Sequence, residues 1–348
     1  MAEPPAVDPA GGAGPERHAL LATKLHVPGP RPGFVARPRL MGALGGELVL
    51  VCAPAGFGKT ALLANWLRSG DRPVAWLSLD AGDNDPVRFW RHVVAALDRA
   101  QPGISEQVAP LGPPVSGCEG LVTAIINELA AQPAESAIVL VLDDYHLVDA
   151  PPVHASLAFL LEHLPPGLHL VLASRSDPPL PLARLRASGQ LSELRTSDLR
   201  FTAEEASALL REVAGPVLPD AAVTALAART EGWAAGLQLA ALSLRGRPDV
   251  AGFVAAFSGS HRYILDYLTG EVLDGQPEQV REFLLETSVL ERLNGGLCDA
   301  VTGRDDGQAM LERAEQAGLF LMPLDEVRGW WRYHQLFADL LRARLQQE

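Results

Sequence analysis

Lys59 and Thr60 follow Ala53-Pro54-Ala55-Gly56-Phe57-Gly58, an order of residue types that suits phosphate chemistry. Small residues let successive backbone N–H groups close around phosphate oxygens, and a helix N-terminus adds partial positive charge. A lysine at position 59 reaches β- and γ-phosphates, and the hydroxyl at position 60 can hold Mg²⁺. The candidate nucleotide-binding residues are therefore Ala55, Gly56, Phe57, Gly58, Lys59, Thr60 and Ala61. Ala53 stands where the strict G-x-x-x-x-G-K-[ST] pattern has glycine, a change that a negative φ accommodates. The plain alternative is a chance GKT in an ordinary turn. A strand before the loop and a helix after it argue against that.

A second group of candidates is acidic. The run Ala137 to Asp144, AIVLVLDD, is a buried strand ending in two carboxylates, at the sheet edge where open α/β folds bind ligands. Asp143 is placed to organise Mg²⁺ with Thr60. Asp144, one residue on, is placed to polarise an attacking water as general base. Arg175 follows another such strand, where an arginine can sense γ-phosphate charge. An arginine paired with a neighbouring acid is the alternative there.

These residues need a sheet to hold them. Apolar, β-prone runs at Leu48–Cys52, Val74–Leu79, Ala137–Asp144, Leu168–Ala173 and Leu191–Leu194 alternate with helical stretches. That alternation predicts a doubly wound parallel sheet of the P-loop NTPase kind. Asp85 with Pro86 reads as the cap of a helix striped by Phe89, Trp90, Val93, Val94 and Leu97. The acids of DAGDNDP lack the spacing of a Ca²⁺ loop and read as a capped turn. From Thr202 the pattern becomes all-helical, opening on a Thr202/Glu205 capping box, with Asp220 as a second cap. The end reads as helix, strand, turn, strand and helix, a winged-helix module with Asp325 and Glu326 in its wing turn. The expected organisation is a disordered N-terminus over 1–19, a P-loop domain over 20–200, a helical domain over 201–275 and a winged-helix domain over 276–348.

Composition narrows the function classes. A formal net charge of −13 argues against a nucleic-acid grip. No apolar run approaches the roughly 20 residues of a membrane span, and the N-terminus lacks a signal peptide's pattern. Three widely spaced cysteines make neither a disulfide framework nor a metal site, so a reducing cytoplasm is the expected compartment.

Several of these stretches share a further property. TKL and RPRL ahead of the loop, APAGFGKT, AWLSLDAGDNDPVRFW, VLDDYHLV, LASRSDPPLPLARLRASGQLSELR, EGWAAGLQLAALSLRG and YHQLFADLLR resemble, in that order, one family. It is the ATPase region of MalT-like regulators, large ATP-binding members of the LuxR transcription-factor group and signal-transduction ATPases with numerous domains. The resemblance spans residues 20–345. It implies ATP or ADP with Mg²⁺ as ligands, Arg175 as γ-phosphate sensor, and Arg37 in the segment near adenine. It also implies that His334 touches the β-phosphate in a closed ADP state. Relatives place Gly-x-Pro against adenine, where this chain is matched to Gly236-Leu237-Gln238. A helical-repeat sensor and a DNA-reading helix-turn-helix would follow the winged module, so this chain is expected to be a truncated product or an excised piece. DNA binding is expected only through that missing reader, and self-association in the ATP state.

Three functions remain open on the sequence. The first is a slow ATP/ADP switch; the second is a P-loop kinase or metabolic NTPase; the third is a nucleotide-binding scaffold without hydrolysis. No acceptor pocket is evident for the second, and Asp144 argues against the third.

Overall fold

The computed structural model describes residues 20–29, 33–108, 118–133, 137–215 and 218–347. The expected N-terminal disorder at 1–19, and part of the Pro/Gly stretch before residue 118, lie outside them. Five parallel strands form the central sheet: β1 (Leu48–Cys52), β2 (Val74–Ser78), β3 (Ile138–Asp143), β4 (Leu168–Ser174) and β5 (Leu191–Leu194). Their spatial order is β2-β3-β4-β1-β5, with Val49 opposite Val171 and Ser192 in register. Between them run α1 (Lys59–Arg68), α2 (Pro86–Ala100), α3 (Ile104–Val108), α4 (Glu119–Ala130), α5 (Pro151–Glu162) and α6 (Leu182–Ala187).

Both faces of the sheet are covered, which is why the strands read as unbroken apolar runs. Leu48, Leu50, Leu140, Leu142, Leu170 and Leu172 face one core, completed by Phe89, Trp90 and Ile125. Their neighbours Val49, Val51, Val139, Val141 and Val171 face the other, against Leu62, Leu63 and Trp76. Side-chain alternation along each strand separates the two sets.

The second core does not stop at the sheet. It continues through α7 (Thr196–Leu199), α8 (Ala203–Ala214), α9 (Asp220–Thr230), α10 (Ala234–Leu244), α11 (Val250–Ala256) and α12 (Arg262–Leu268). The chain then makes a π turn over Thr269–Leu273 and enters α13 (Glu278–Thr287), α14 (Gly295–Thr302) and α15 (Gly307–Gln316). The antiparallel wing, β6 (Leu321–Pro323) and β7 (Trp331–Tyr333), precedes α16 (Gln335–Leu345). Phe57 of the phosphate loop, Trp233, Phe320 and Phe337 are all buried in this continuous core.

Most expected caps are in place. Asp85 accepts from the Arg88 N–H with Pro86 at the first helical position, and Thr202 and Glu205 form the capping box of α8. Asp220 differs. Pro219 occupies the cap of α9, with its ring-fixed φ of −61°, and Asp220 opens the helix and pairs with Arg211. An acid in the first turn still favours the helix dipole. The helix α12 is regular only to Leu268, where the π turn takes over. Among the described residues no helix is long and apolar enough to cross a membrane.

Candidate functional site

The apolar β1 delivers the chain into a loop whose Gly56 and Gly58 take φ of +77° and +79°. Only glycine holds that region without strain, so these positions follow from loop shape. Gly58 is the cap of α1, whose first residues are Lys59 and Thr60. Lys59 is buried, and its ammonium donates to the carbonyls of Ala53 at 2.7 Å and Pro54 at 3.1 Å. Burial pushes its pKa down to about 8, although Asp144 and Asp143 pull the other way. An ammonium so placed gains from an anion's charge.

Thr60 Oγ1 donates to Asp143 Oδ2 at 2.9 Å, joining the loop helix to the end of β3. The second oxygen of Asp143, Oδ1, is buried without a partner. Burial, and then the charge of Asp144, push the Asp143 carboxyl up to about 6. A hydroxyl and a buried carboxylate with one orphaned oxygen are hard donors of the type Mg²⁺ takes, so the residues fit that ion. Asp144 sits in the left-handed region at φ +59°, and its carboxylate is partly exposed where that of Asp143 is buried.

Arg175, one residue beyond β4, donates to the main-chain oxygen of Glu271 at 2.9 Å and to its carboxylate at 2.8 Å. His334 begins α16 from a buried position and bonds the Thr230 carbonyl through Nε2 at 3.0 Å, so that nitrogen carries the proton. Its ring meets Trp233 and Phe320 edge-on, its Nδ1 is buried without a partner, and burial lowers its pKa to about 4. A cavity of about 730 Å³ between the sheet edge and the winged module brings together Pro54, Phe57, Arg175, Arg195, Met322 and His334.

Arg37 lies elsewhere. Its guanidinium bonds Glu205 at 3.2 Å and the carbonyls of Leu199 and Arg200 at 2.9 Å each, and it stacks 4.6 Å above Phe201. Only its Nη1 is buried without a partner. The arginine is a strut between the segment before β1 and the start of α8.

Four further residues belong to the site, and sequence reasoning does not single them out. Trp233 Nε1 donates to the Ala55 carbonyl at 3.0 Å, and the Ala235 N–H to the Gly56 carbonyl at 2.9 Å. Tyr267 packs beside Trp233 over Gly56. His146, two residues past Asp144, is held down to about 3 by burial and then by the charges of Arg175 and Lys59. The signals available were the histidine in VLDDYHLV and the Gly-Trp pair before α10.

Residues 269–348 match the family described as the MalT winged helix domain, and residues 38–173 match the AAA ATPase domain. The serine/threonine-protein kinase PknK of Mycobacterium tuberculosis is 40% identical over 335 residues, covering 94% of this chain and 30% of that protein. The HTH-type transcriptional regulator MalT of Cronobacter sakazakii is 38% identical over 340 residues, covering 94% of this chain and 37% of the regulator. The chain thus spans about a third of the length of these curated relatives. In fold it is similar to a Walker-type ATPase of Pyrococcus abyssi, with a TM-score of 0.62 and 15% identity over 90% of this chain and 97% of that one.

Proposed function

From the premise that this chain carries the ATPase and winged-helix modules of the MalT-like signal-transduction ATPases, we propose that it is a nucleotide-operated switch. ADP holds the P-loop, helical and winged-helix modules together, with boundaries near residues 200 and 275. ATP opens them for self-association, and slow hydrolysis resets the closed state. One observation carries this reading. The phosphate loop is bonded through its own carbonyls, at Ala55 and Gly56, to the start of α10. Any ligand that reshapes the loop therefore acts on the helical segment at once.

In this reading Lys59 and the loop N–H groups bind the phosphates, and Thr60 and Asp143 are the residues that would hold Mg²⁺. Mg²⁺ supplies charge neutralisation to the phosphate oxygens. Asp144 orients and polarises the attacking water, Arg175 responds to the terminal phosphate, and His334 faces the phosphates from the winged module.

The test is direct. Denaturing the purified protein should release ADP or ATP, identified by mass. Lys59→Ala should leave no measurable binding in calorimetry, because the phosphate charge is then uncompensated. Phosphate release without an acceptor should run far below the usual median of about 10 s⁻¹. Unchanged nucleotide affinity in Lys59→Ala would refute the assignment.

A further inference from the structure

The stretch from Tyr267 to Glu271 links the phosphate loop to the end of β4. A Cβ added to Gly56 would stand 3.0 Å from the Tyr267 hydroxyl. Four residues later, Glu271 engages Arg175 twice, by its main-chain oxygen at 2.9 Å and its carboxylate at 2.8 Å. The backbone leaves α-helical geometry between these two contacts, changing from α12 to the π turn at Thr269. Such turns insert an extra residue into the helical ladder and recur at functional sites. Here the turn presents a carbonyl and a carboxylate to one guanidinium.

An arginine fork recognises carboxylate and phosphate oxygens with the same geometry. Arg175 is close enough to the loop for its charge to bear on Lys59 and on His146. We propose that Glu271 determines nucleotide specificity: in the closed arrangement its carboxylate holds the guanidinium that a third phosphate would otherwise engage. The closed form then prefers a nucleoside diphosphate, and a triphosphate binds by displacing Glu271 from Arg175. The pair suits that exchange. Its side chains are 31% and 48% exposed, and a partly exposed ion pair is a weak clamp that a multiply charged phosphate outcompetes.

This inference rests on the nucleotide-switch reading, and its test separates the two. Fluorescent analogues of ADP and of a slowly hydrolysed ATP are titrated, with Mg²⁺, into the whole chain and its variants. Glu271→Gln keeps the main-chain contact and removes the charge. It should tighten the triphosphate about fivefold while moving the diphosphate less than about twofold. Glu271→Asp should lie between wild type and Glu271→Gln. Adding Arg175→Gln to Glu271→Gln should erase the gain, since the released guanidinium is its source. Wild type that binds both nucleotides, with an unchanged affinity ratio in Glu271→Gln, overturns the inference alone. Wild type that binds neither overturns the switch reading and this inference with it.

Discussion

At the scale of single residues, the two carboxylates at the end of β3 show how one step along the chain separates roles. Asp143 continues the strand, is buried and accepts from Thr60; Asp144 takes φ +59° and leaves the strand's direction. Asn at either position keeps the shape and removes the charge. Asp143→Asn is expected to weaken the Mg²⁺ dependence of nucleotide binding. Asp144→Asn is expected to retain nucleotide and lose most hydrolysis, a loss of about 10²–10⁴-fold for a general base. Normal phosphate release by both variants would show the acidic pair to be structural. The chain's two lysines make a parallel contrast. Both are buried, but Lys24 is neutralised by Asp83 and Asp80, whereas Lys59 rests on neutral carbonyls. Lys24 pins the segment ahead of β1 to the turn before α2; on the proposed function, Lys59 is the one that meets the phosphates.

At the scale of elements, the winged module closes on the sheet edge through a glycine. Gly318, between α15 and β6, has φ +67°, and a Cβ there would lie 2.5 Å from the Arg175 carbonyl and 3.8 Å from Pro54 Cα. Gly303 has nearly the same backbone, φ +70°, with nothing within 4 Å. Gly303→Ala should carry only the left-handed penalty, about 1 kcal/mol. Gly318→Ala should carry that penalty plus a wedge against backbone, about 2–4 kcal/mol in all, visible as an earlier urea midpoint. Equal losses would mean that close approach does not constrain Gly318. Neither role could be read in advance, because sequence records a glycine without recording what approaches it. The five strands were legible because burial on both faces writes an unbroken apolar run, and the P-loop because its chemistry admits few residue types. The helices α11 and α14 were not legible. Gly295 and Gly296 at the start of α14 are poor helix formers that give no helical signal of their own, and the Asn294 cap opens the helix there. The partners of Arg37 and Arg175 escaped for a related reason. Sequence shows a guanidinium, but any acid in reach can fill its fork, and Glu205 and Glu271 come from distant segments.

At the scale of the whole molecule, one histidine sits where the winged module, the helical segment and the phosphate loop converge. His334 bonds Thr230 at the end of α9 and touches Trp233, whose indole holds Ala55 of the loop. Beside it, Glu231 binds Arg332 through both oxygens, at 2.9 and 2.7 Å, and is held down to about 2 by those bonds against the upward push of burial. Arg200 also faces this cluster, so the groups bearing on the imidazole are Glu231, Arg200 and Arg332. Burial dominates and lowers its pKa to about 4, which makes the docked histidine neutral. A lowered folded pKa means that the unfolded chain binds the proton more readily. The stability this residue contributes is therefore fully present above the ordinary histidine range, about 6.5, and is lost as pH falls towards about 4. His334→Gln should flatten the pH dependence of unfolding across that window. The Nε2 proton is committed to Thr230, which leaves Nδ1 as the nitrogen free to face a ligand. A neutral Nδ1 cannot donate to a phosphate; it must first take up a proton, which a nearby diphosphate's charge favours. On the proposed switch, in which only the closed state uses the contact, His334→Ala should weaken ADP about tenfold or more, leave ATP nearly unchanged and favour self-association. Calorimetric affinities for both nucleotides in wild type and variant decide it. An unaltered ADP-to-ATP ratio would confine His334 to the packing between the winged module and α9, with the phosphates sensed by the loop alone.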